Sequence, residues 1–198
     1  MQIVGLCYHC TPMLNLDTSL LEWINHNRWH IADPFLLLVT NTTAYVAILI
    51  ALTVLVVGFV RKWDEVKWKG YQLVSAYIAN AIVVSAMKHL VNRERPFVNN
   101  PLIEKLTSGG SPSFPSGHTA DAFVIAMSVA LIGTRRWIVV AVWIWACLVG
   151  YTRMALGVHY PSDVIGSLLI GSINAYWVHL VFLRKKEKME KDANLEEI

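Results

Sequence analysis

Three charged side chains stand within one short stretch of a chain that is otherwise rich in apolar residues. They are Arg153, His159 and Asp163, and long apolar runs flank them on both sides. Charged groups are costly at the edge of a hydrocarbon layer, so their presence predicts a functional site. His159 and Asp163 are four positions apart and would share a face of a helix. The carboxylate could then hold one imidazole nitrogen as a proton donor and leave the other as a base or nucleophile.

A second stretch offers two cations and precedes the first along the chain. Lys88 and Arg95 are seven positions apart, or two helical turns, so we expect them to face the same way on a helix that Pro96 ends. An ammonium and a guanidinium group on one face would suit a phosphate. The alternative is a basic helix end that meets headgroups or water.

A third stretch, Ser113 to His118, precedes an apolar helix. Gly117 lets the backbone approach a ligand closely, and the N–H groups at a helix start bind anions. Ser116 adds a hydroxyl donor and His118 an acid or base, although Ser116 could instead simply cap the helix. Asp121 would either tune the His118 imidazole or serve as a helix-start acid that the helix dipole favours.

Composition predicts a membrane protein. The 198 residues suit one domain, and 55% of them are hydrophobic whereas only 16% are charged. A net charge of +3 in so apolar a chain does not indicate a nucleic-acid partner. Cys7 and Cys10 have the spacing of half a zinc site or of a redox pair. No second pair exists, so a plain N-terminal segment is the favoured interpretation.

Five apolar runs predict transmembrane helices, since a span needs about 20 residues. The third run is the shortest and begins with polar groups. We therefore predict an all-α integral membrane bundle of about five transmembrane helices, preceded by an N-terminal interfacial helix. The runs cover residues 34–60, 71–91, 115–132, 137–156 and 164–183.

The N-terminal helix is predicted over residues 17–30. Asp17 or Ser19 could cap it, and a pattern of about two turns separates an apolar arc from a polar arc that includes Asn25 and His26. Tryptophans at 23 and 29 suit a segment in the membrane interface. A packed helix without a lipid role is the alternative.

Basic residues predict the orientation in the membrane. Eleven of the seventeen fall on one side, which the positive-inside rule makes cytoplasmic, and the other six fall with His159 on the opposite side. The predicted divisions are 1–33 for the N-terminal segment, 34–183 for the membrane domain and 184–198 for a charged cytoplasmic tail. The residues predicted to be cytoplasmic are Arg61, Lys62, Lys67, Lys69, Arg135, Arg136, Arg184, Lys185, Lys186, Lys188 and Lys191.

The order and spacing of the three polar stretches resemble the type 2 phosphatidic acid phosphatase family. The matching patterns are Lys88-(six residues)-Arg95-Pro96, then Pro115-Ser116-Gly117-His118, then Arg153-(five residues)-His159-(three residues)-Asp163. The wider superfamily includes soluble vanadium-dependent haloperoxidases, but the flanking apolar runs are similar to the family's membrane branch. One departure is Thr152, where the family usually has Ser, and it retains a hydroxyl group.

The resemblance implies a role for each matched residue. His159 would be the nucleophile that takes the phosphoryl group, oriented by Asp163, and His118 the general acid that then assists the attacking water. Lys88, Arg95, Ser116, Gly117 and Arg153 would surround the phosphate oxygens. No cofactor is implied, and no cluster of carboxylates suits a catalytic metal.

The expected function is that of a metal-independent lipid phosphatase in the membrane, acting through a phosphohistidine. The expected substrates are undecaprenyl diphosphate, phosphatidylglycerophosphate, phosphatidate or a lipid A phosphate. A bacterial inner membrane is expected, with the site on its non-cytoplasmic side. A lipid phosphotransferase using the same phosphohistidine is an alternative, and a small transporter or channel is a distant one. The lipid selected and the oligomeric state stay open.

Overall fold

The computed structural model describes residues 11–110 and 112–196, and these form an all-helical bundle. The segment with Cys7 and Cys10 lies outside the described residues. A short 3-10 helix, His30–Ala32, precedes the second helix. The α-helices are α1 (Thr11–His26), α2 (Asp33–Arg61), α3 (Asp64–Val91), α4 (Pro96–Asn99), α5 (Gly117–Leu131), α6 (Arg136–Ala155) and α7 (Pro161–Glu196).

The apolar runs explain the long helices. Four helical stretches in the described residues are long and apolar enough to cross a membrane: His30–Arg61, Asp64–Asn99, Arg136–Ala155 and Pro161–Leu195. The third predicted run forms α5, which at 15 residues is shorter than a full span. The chain is therefore an integral membrane helical bundle, with four full-length helices and one shorter apolar helix where the sequence predicted about five spans.

The short helix α5 forms the centre of the bundle. It contacts α2, α3, α6 and α7, and most of its side chains from Thr119 to Val129 are buried. Small residues allow this close packing, because association of helices in a membrane depends on close van der Waals contact. At Gly171 in α7, for example, a Cβ atom would lie 2.6 Å from the backbone oxygen of Ala120. This packing fixes the start of α5, where the predicted site residues Ser116, Gly117 and His118 lie.

The two ends of the bundle differ in charge and composition. At one end, the start of α3 meets the middle of α7, where Lys185 lies 5.6 Å from the ring of Trp68. At the other end, the loops after α3 and α6 meet α1 and the start of α7, with Arg93, Asp17 and Asp163 in ion pairs. The predicted site residues thus gather at the end opposite the predicted cytoplasmic basic cluster.

The N-terminal helix differs from its prediction in two respects. It begins at Thr11 and ends at His26, so Asp17 and Ser19 lie inside α1 and do not cap it. Asn25, assigned to the polar arc, is fully buried and bonds to the backbone of Glu104 and Ala155. The polar side chain is buried because it satisfies backbone groups of two other segments, which a helical-wheel pattern does not reveal.

Candidate active site

A cavity of about 370 Å³ lies at the end of the bundle that carries the predicted site residues. Six of them line it: Lys88, Arg95, Gly117, His118, Arg153 and His159. The other lining residues are Ala44, Ser108, Gly109, Gly110 and Asp121. Ser116 and Asp163 are not in the lining, but Ser116 directly precedes Gly117, and Oδ2 of Asp163 lies 3.5 Å from Nδ1 of His159. The three stretches that are distant in sequence therefore converge as predicted in space.

His159 lies in the connection between α6 and α7. Its backbone N–H and that of Val158 both donate to the Arg153 oxygen, at 3.2 Å each. Gly157 makes the turn possible, with a φ of +73°, and a Cβ atom there would lie 2.3 Å from the backbone oxygen of Glu104. The turn leaves His159 only 1% exposed. Burial lowers the pKa of His159 well below its usual value, which favours the neutral imidazole.

The two ring nitrogens of His159 face different partners. Nδ1 lies 3.5 Å from Oδ2 of Asp163, and Nε2 lies 3.4 Å from Nη1 of Arg95. A guanidinium can only donate, so the Arg95 contact favours the tautomer with its proton on Nδ1. The lone pair of Nε2 is then directed toward the cationic side chains of the cavity.

Asp163 is fixed at the start of α7. Its Oδ2 accepts hydrogen bonds from the Ser113 hydroxyl at 2.5 Å and from the Tyr160 N–H at 3.0 Å. Its Oδ1 accepts from Nη1 of Arg93 at 2.7 Å. Asp163 thus bonds back to the N–H of the residue just before the helix, and Pro161 occupies the first helical position. Both features are common at the start of a helix. The same bonds hold the carboxylate beside His159.

Three cationic side chains line the cavity. Arg95 is 7% exposed and Nη1 donates to the Val158 oxygen at 3.0 Å. Lys88 donates from Nζ to the Pro112 oxygen at 2.8 Å. Arg153, 3% exposed, donates to the Thr40 hydroxyl, while its buried Nε has no hydrogen-bond partner among the described residues. The hydrogen-bond donors and positive charges of these three side chains suit an anion that carries two or more negative charges, such as a phosphate group.

The route by which Arg95 reaches the cavity differs from the prediction. Helix α3 ends at Val91, and Asn92 follows with a φ of +45°, so Arg95 lies in a loop. Lys88 and Arg95 therefore do not share a helix face, and Pro96 begins α4 and does not end α3. The left-handed residue turns the chain over the bundle end, and Arg95 enters the cavity from that loop.

The Ser116–His118 stretch begins α5 as predicted. Ser116 is the N-cap residue, but its buried hydroxyl lies 2.8 Å from the Thr119 hydroxyl and makes no capping hydrogen bond to the backbone. Gly117 and His118 occupy the first turn and line the cavity. The first turn of a helix offers N–H groups to an anion, and the described geometry leaves Gly117 open: a Cβ atom there would contact only Val84, at 3.9 Å.

Asp121 lines the cavity from the second turn of α5. Its Oδ1 accepts a hydrogen bond of 2.9 Å from Nδ2 of Asn80, a buried residue of α3. Helix α5 begins at Gly117, so Asp121 is its fifth residue and lies beyond the first turn. The helix-start interpretation therefore does not hold. This hydrogen bond from the Asn80 side-chain amide anchors the Asp121 carboxylate in the cavity wall.

Sequence reasoning missed several residues that shape the site. Arg93 contacts Asp163, Ser113 contacts the same carboxylate, and Thr40 of α2 contacts Arg153. A signal existed for Thr40, since residues 40–43 interrupt an apolar run with polar side chains. Arg93 and Ser113 stand beside the predicted residues, but no local pattern shows which distant groups they contact.

The described residues contain no group of three or more His, Cys, Asp or Glu side chains placed to hold a metal ion. The fold and cavity define a class: an all-helical integral membrane protein with a histidine–aspartate pair and three cations at one end of the bundle. Residues 69–187 match the PAP2 superfamily, and the chain belongs to that superfamily.

Known proteins of similar sequence and structure agree with this assignment. The chain is 29% identical over 150 residues to undecaprenyl-diphosphatase BcrC of Bacillus subtilis, covering 75% of this chain and 73% of that one. It is 28% identical over 121 residues to a lipid A 4'-phosphatase of Bacteroides thetaiotaomicron, covering 58% and 54%. The chain thus spans about half the length of the Bacteroides relative.

Two crystal structures share the fold. LpxE of Aquifex aeolicus gives a TM-score of 0.67 at 28% identity, covering 90% of this chain and 98% of that one. The transmembrane phosphatidylglycerolphosphate phosphatase of Bacillus subtilis gives 0.70 at 23% identity, with 86% of each chain covered. At 23% identity, the similarity to the phosphatidylglycerolphosphate phosphatase supports the fold alone.

Proposed function

We propose that this protein hydrolyses a phosphate monoester or diphosphate of a membrane lipid through a phosphohistidine on His159. The observation that carries the proposal is the opposed environment of the two ring nitrogens, with Nδ1 toward Asp163 and Nε2 toward Arg95 and the cavity. A neutral imidazole held in this way is a nucleophile next to a site that attracts phosphate.

In the first step, the Nε2 lone pair would attack phosphorus while the bond from phosphorus to the lipid or lipid-phosphate oxygen breaks. His118 would donate a proton to that leaving oxygen. Lys88, Arg95 and Arg153 would neutralise the charge spread over the phosphoryl oxygens, with the Ser116 hydroxyl and the Gly117 backbone completing the site. Phosphoryl transfer depends mainly on such positioning and charge stabilisation.

In the second step, His118 would take a proton from water, which attacks the phosphohistidine and releases inorganic phosphate. Asp163 stabilises the Nδ1 proton throughout, so the imidazole keeps its orientation in both steps. Nε2 regains its lone pair when the bond from nitrogen to phosphorus breaks, and the enzyme returns to its initial state.

The proposed location is a bacterial inner membrane, with the cavity on the non-cytoplasmic side. The excess of basic residues at the opposite end supports this orientation. The names of the relatives support lipid phosphates as substrates: undecaprenyl diphosphate for the Bacillus protein and lipid A for the Bacteroides protein. Phosphatidate and phosphatidylglycerophosphate belong to the same panel.

The test is phosphate release by purified protein in detergent from each of these four lipids, with a chelator present. We expect release from at least one lipid and its loss in His159→Ala. Asp64→Asn, a change of an exposed carboxylate at the other end of the bundle, should retain release. Transfer of labelled phosphate to an alcohol without free phosphate would indicate a phosphotransferase. No release from any lipid, or full release by His159→Ala, would overturn the proposal.

A further inference from the structure

Arg93 joins two carboxylates from opposite sides of the site, and the mechanism above does not use it. Nη1 donates to Oδ1 of Asp163 at 2.7 Å, and Nη2 donates to Oδ2 of Asp17 at 2.8 Å. The guanidinium carbon also lies 3.9 Å from the centre of the Tyr160 ring. Two ion pairs and a ring contact therefore fix this side chain in one orientation.

The carboxylate that Arg93 contacts is fully buried. A buried carboxylate is costly unless it is paired and hydrogen-bonded. Asp163 receives neutral donors on Oδ2, from Ser113 and Tyr160, whereas Arg93 supplies a full positive charge to Oδ1. Oδ2 is the oxygen near His159, so the Arg93 contact fixes the rotation of the carboxylate that faces the imidazole.

Asp17 holds Arg93 from the N-terminal helix. Its Oδ1 accepts the Ser162 N–H at 2.9 Å, and its Oδ2 accepts the Ser162 hydroxyl at 2.5 Å. Ser162 is in the first turn of α7, where N–H groups lack partners within the helix. An α1 carboxylate therefore caps α7 and pairs with Arg93 at the same time.

We propose that Arg93 is a positioning residue for the reaction, which fixes Asp163 toward His159 and is itself held by Asp17. In this arrangement α1 is part of the catalytic framework, beyond any contact it makes with lipid. This inference rests on the proposed phosphatase function. Arg93 does not line the cavity around His159, although it borders a neighbouring cavity that also includes Arg95. Its effect on the reacting phosphate is therefore placed through Asp163 and His159.

The shape of the guanidinium makes a graded test possible. Arginine presents donors in a planar fork that can reach two carboxylates, whereas lysine has one compact ammonium group. Arg93→Lys retains the charge beside Asp163 but cannot keep both ion pairs, and Arg93→Gln removes the charge. Because neither change alters the lining of the cavity around His159, we expect kcat to fall while KM stays within about twofold of the wild-type value.

The expected losses in kcat are roughly tenfold for Arg93→Lys and roughly a hundredfold for Arg93→Gln, the range found for groups that orient metal-bound histidines. Asp17→Asn should lower kcat by roughly threefold to tenfold. In the double variant with Arg93→Gln, the Asp17 change should have little additional effect, because both act through Asp163.

The experiment measures phosphate release, kcat and KM for the full chain in detergent, using the best lipid of the panel. Arg61→Gln is the matched control, since Arg61 also lies over an aromatic ring, Trp63, but at the other end of the bundle. Gel filtration checks folding, and Arg93→Lys keeps the test valid if Arg93→Gln does not fold. Unchanged kcat in Arg93→Lys, a loss confined to KM, or additive effects of the two changes would overturn the inference. Failure of the proposed function would appear separately, as an inactive wild-type protein.

Discussion

Nη1 of Arg95 lies 3.4 Å from Nε2 of His159, and the same nitrogen donates to the Val158 oxygen at 3.0 Å. One guanidinium thus contacts both the imidazole and the backbone that carries it. The contact favours the tautomer with its lone pair on Nε2, and it places a positive charge beside the position that a phosphoryl oxygen would take.

Replacement of Arg95 by lysine should reduce activity although the charge is retained. A single ammonium group cannot keep both contacts in the planar geometry of arginine. The loss of one charged hydrogen bond is worth about 1.5–3 kcal/mol, so kcat/KM should fall roughly 10- to 100-fold. Steady-state phosphate release provides the measurement. Activity equal to wild type would show that the Arg95 fork is not needed, and Arg61→Lys serves as the control.

Gly157→Ala should destabilise the protein more than Gly133→Ala. Both glycines have positive φ values, +73° and +67°, so both changes incur backbone strain. Only at Gly157 does a Cβ atom also collide with the Glu104 oxygen, whereas no atom lies within 4 Å at Gly133. The collision should add about 1–3 kcal/mol to the loss of unfolding free energy. Thermal unfolding in detergent measures the difference, and equal losses would contradict the geometry of the His159 turn.

Asn25→Leu should release α1 from the bundle. The Asn25 amide donates to the oxygens of Glu104 and Ala155 at 3.1 and 2.8 Å and accepts the Glu104 N–H at 2.9 Å. Loss of these partners leaves the buried Ala155 oxygen and two partly buried backbone groups of Glu104 unsatisfied, at a cost of about 3 kcal/mol. His26→Leu is the control, because His26 is exposed on the same helix, and its effect should stay within about 0.5 kcal/mol. Limited proteolysis within α1 measures the release, and equal cleavage of both variants would contradict this docking.

Stability should fall in acid because His159 is buried in its neutral form. Burial lowers the pKa of the folded-state imidazole to about 3. The unfolded chain takes up a proton near pH 6.5 and the folded chain does not, so stability decreases as pH falls below that value. Between about pH 7 and about pH 5, the decrease in unfolding temperature should be smaller for His159→Gln than for wild type. His89→Gln, an exposed change, should follow the wild-type curve. Parallel curves for His159→Gln would contradict this assignment.

The sequence predicts the long helices and many of the residues that line the cavity. Apolar runs long enough to span a membrane became α2, α3, α6 and α7, because the membrane requires backbone groups to bond within each helix. Lys88 and Arg95 both reach the cavity, although the helical spacing used to join them was wrong, since the chain leaves the helix at Asn92.

The contacts that sequence reasoning did not find join residues far apart in the chain. Arg93 and Asp163 are 70 positions apart, and Arg153 and Thr40 are 113 apart. A helical pattern reports which side chains share a face, but not what lies opposite them. Asn25 is a further example. The amphipathic pattern places it on the polar arc of α1, whereas its side chain is buried and donates to the Ala155 oxygen.

The most direct test of the central claim is isolation of the covalent intermediate. Brief incubation of wild-type protein with the lipid substrate labelled in the transferred phosphate, followed by denaturation in base, should leave label on the protein as a phosphohistidine that acid removes. Peptide mapping should locate the label at His159, and His159→Ala should carry none. Label on His118 or on another residue, or full turnover by His159→Ala, would contradict the proposed role of His159.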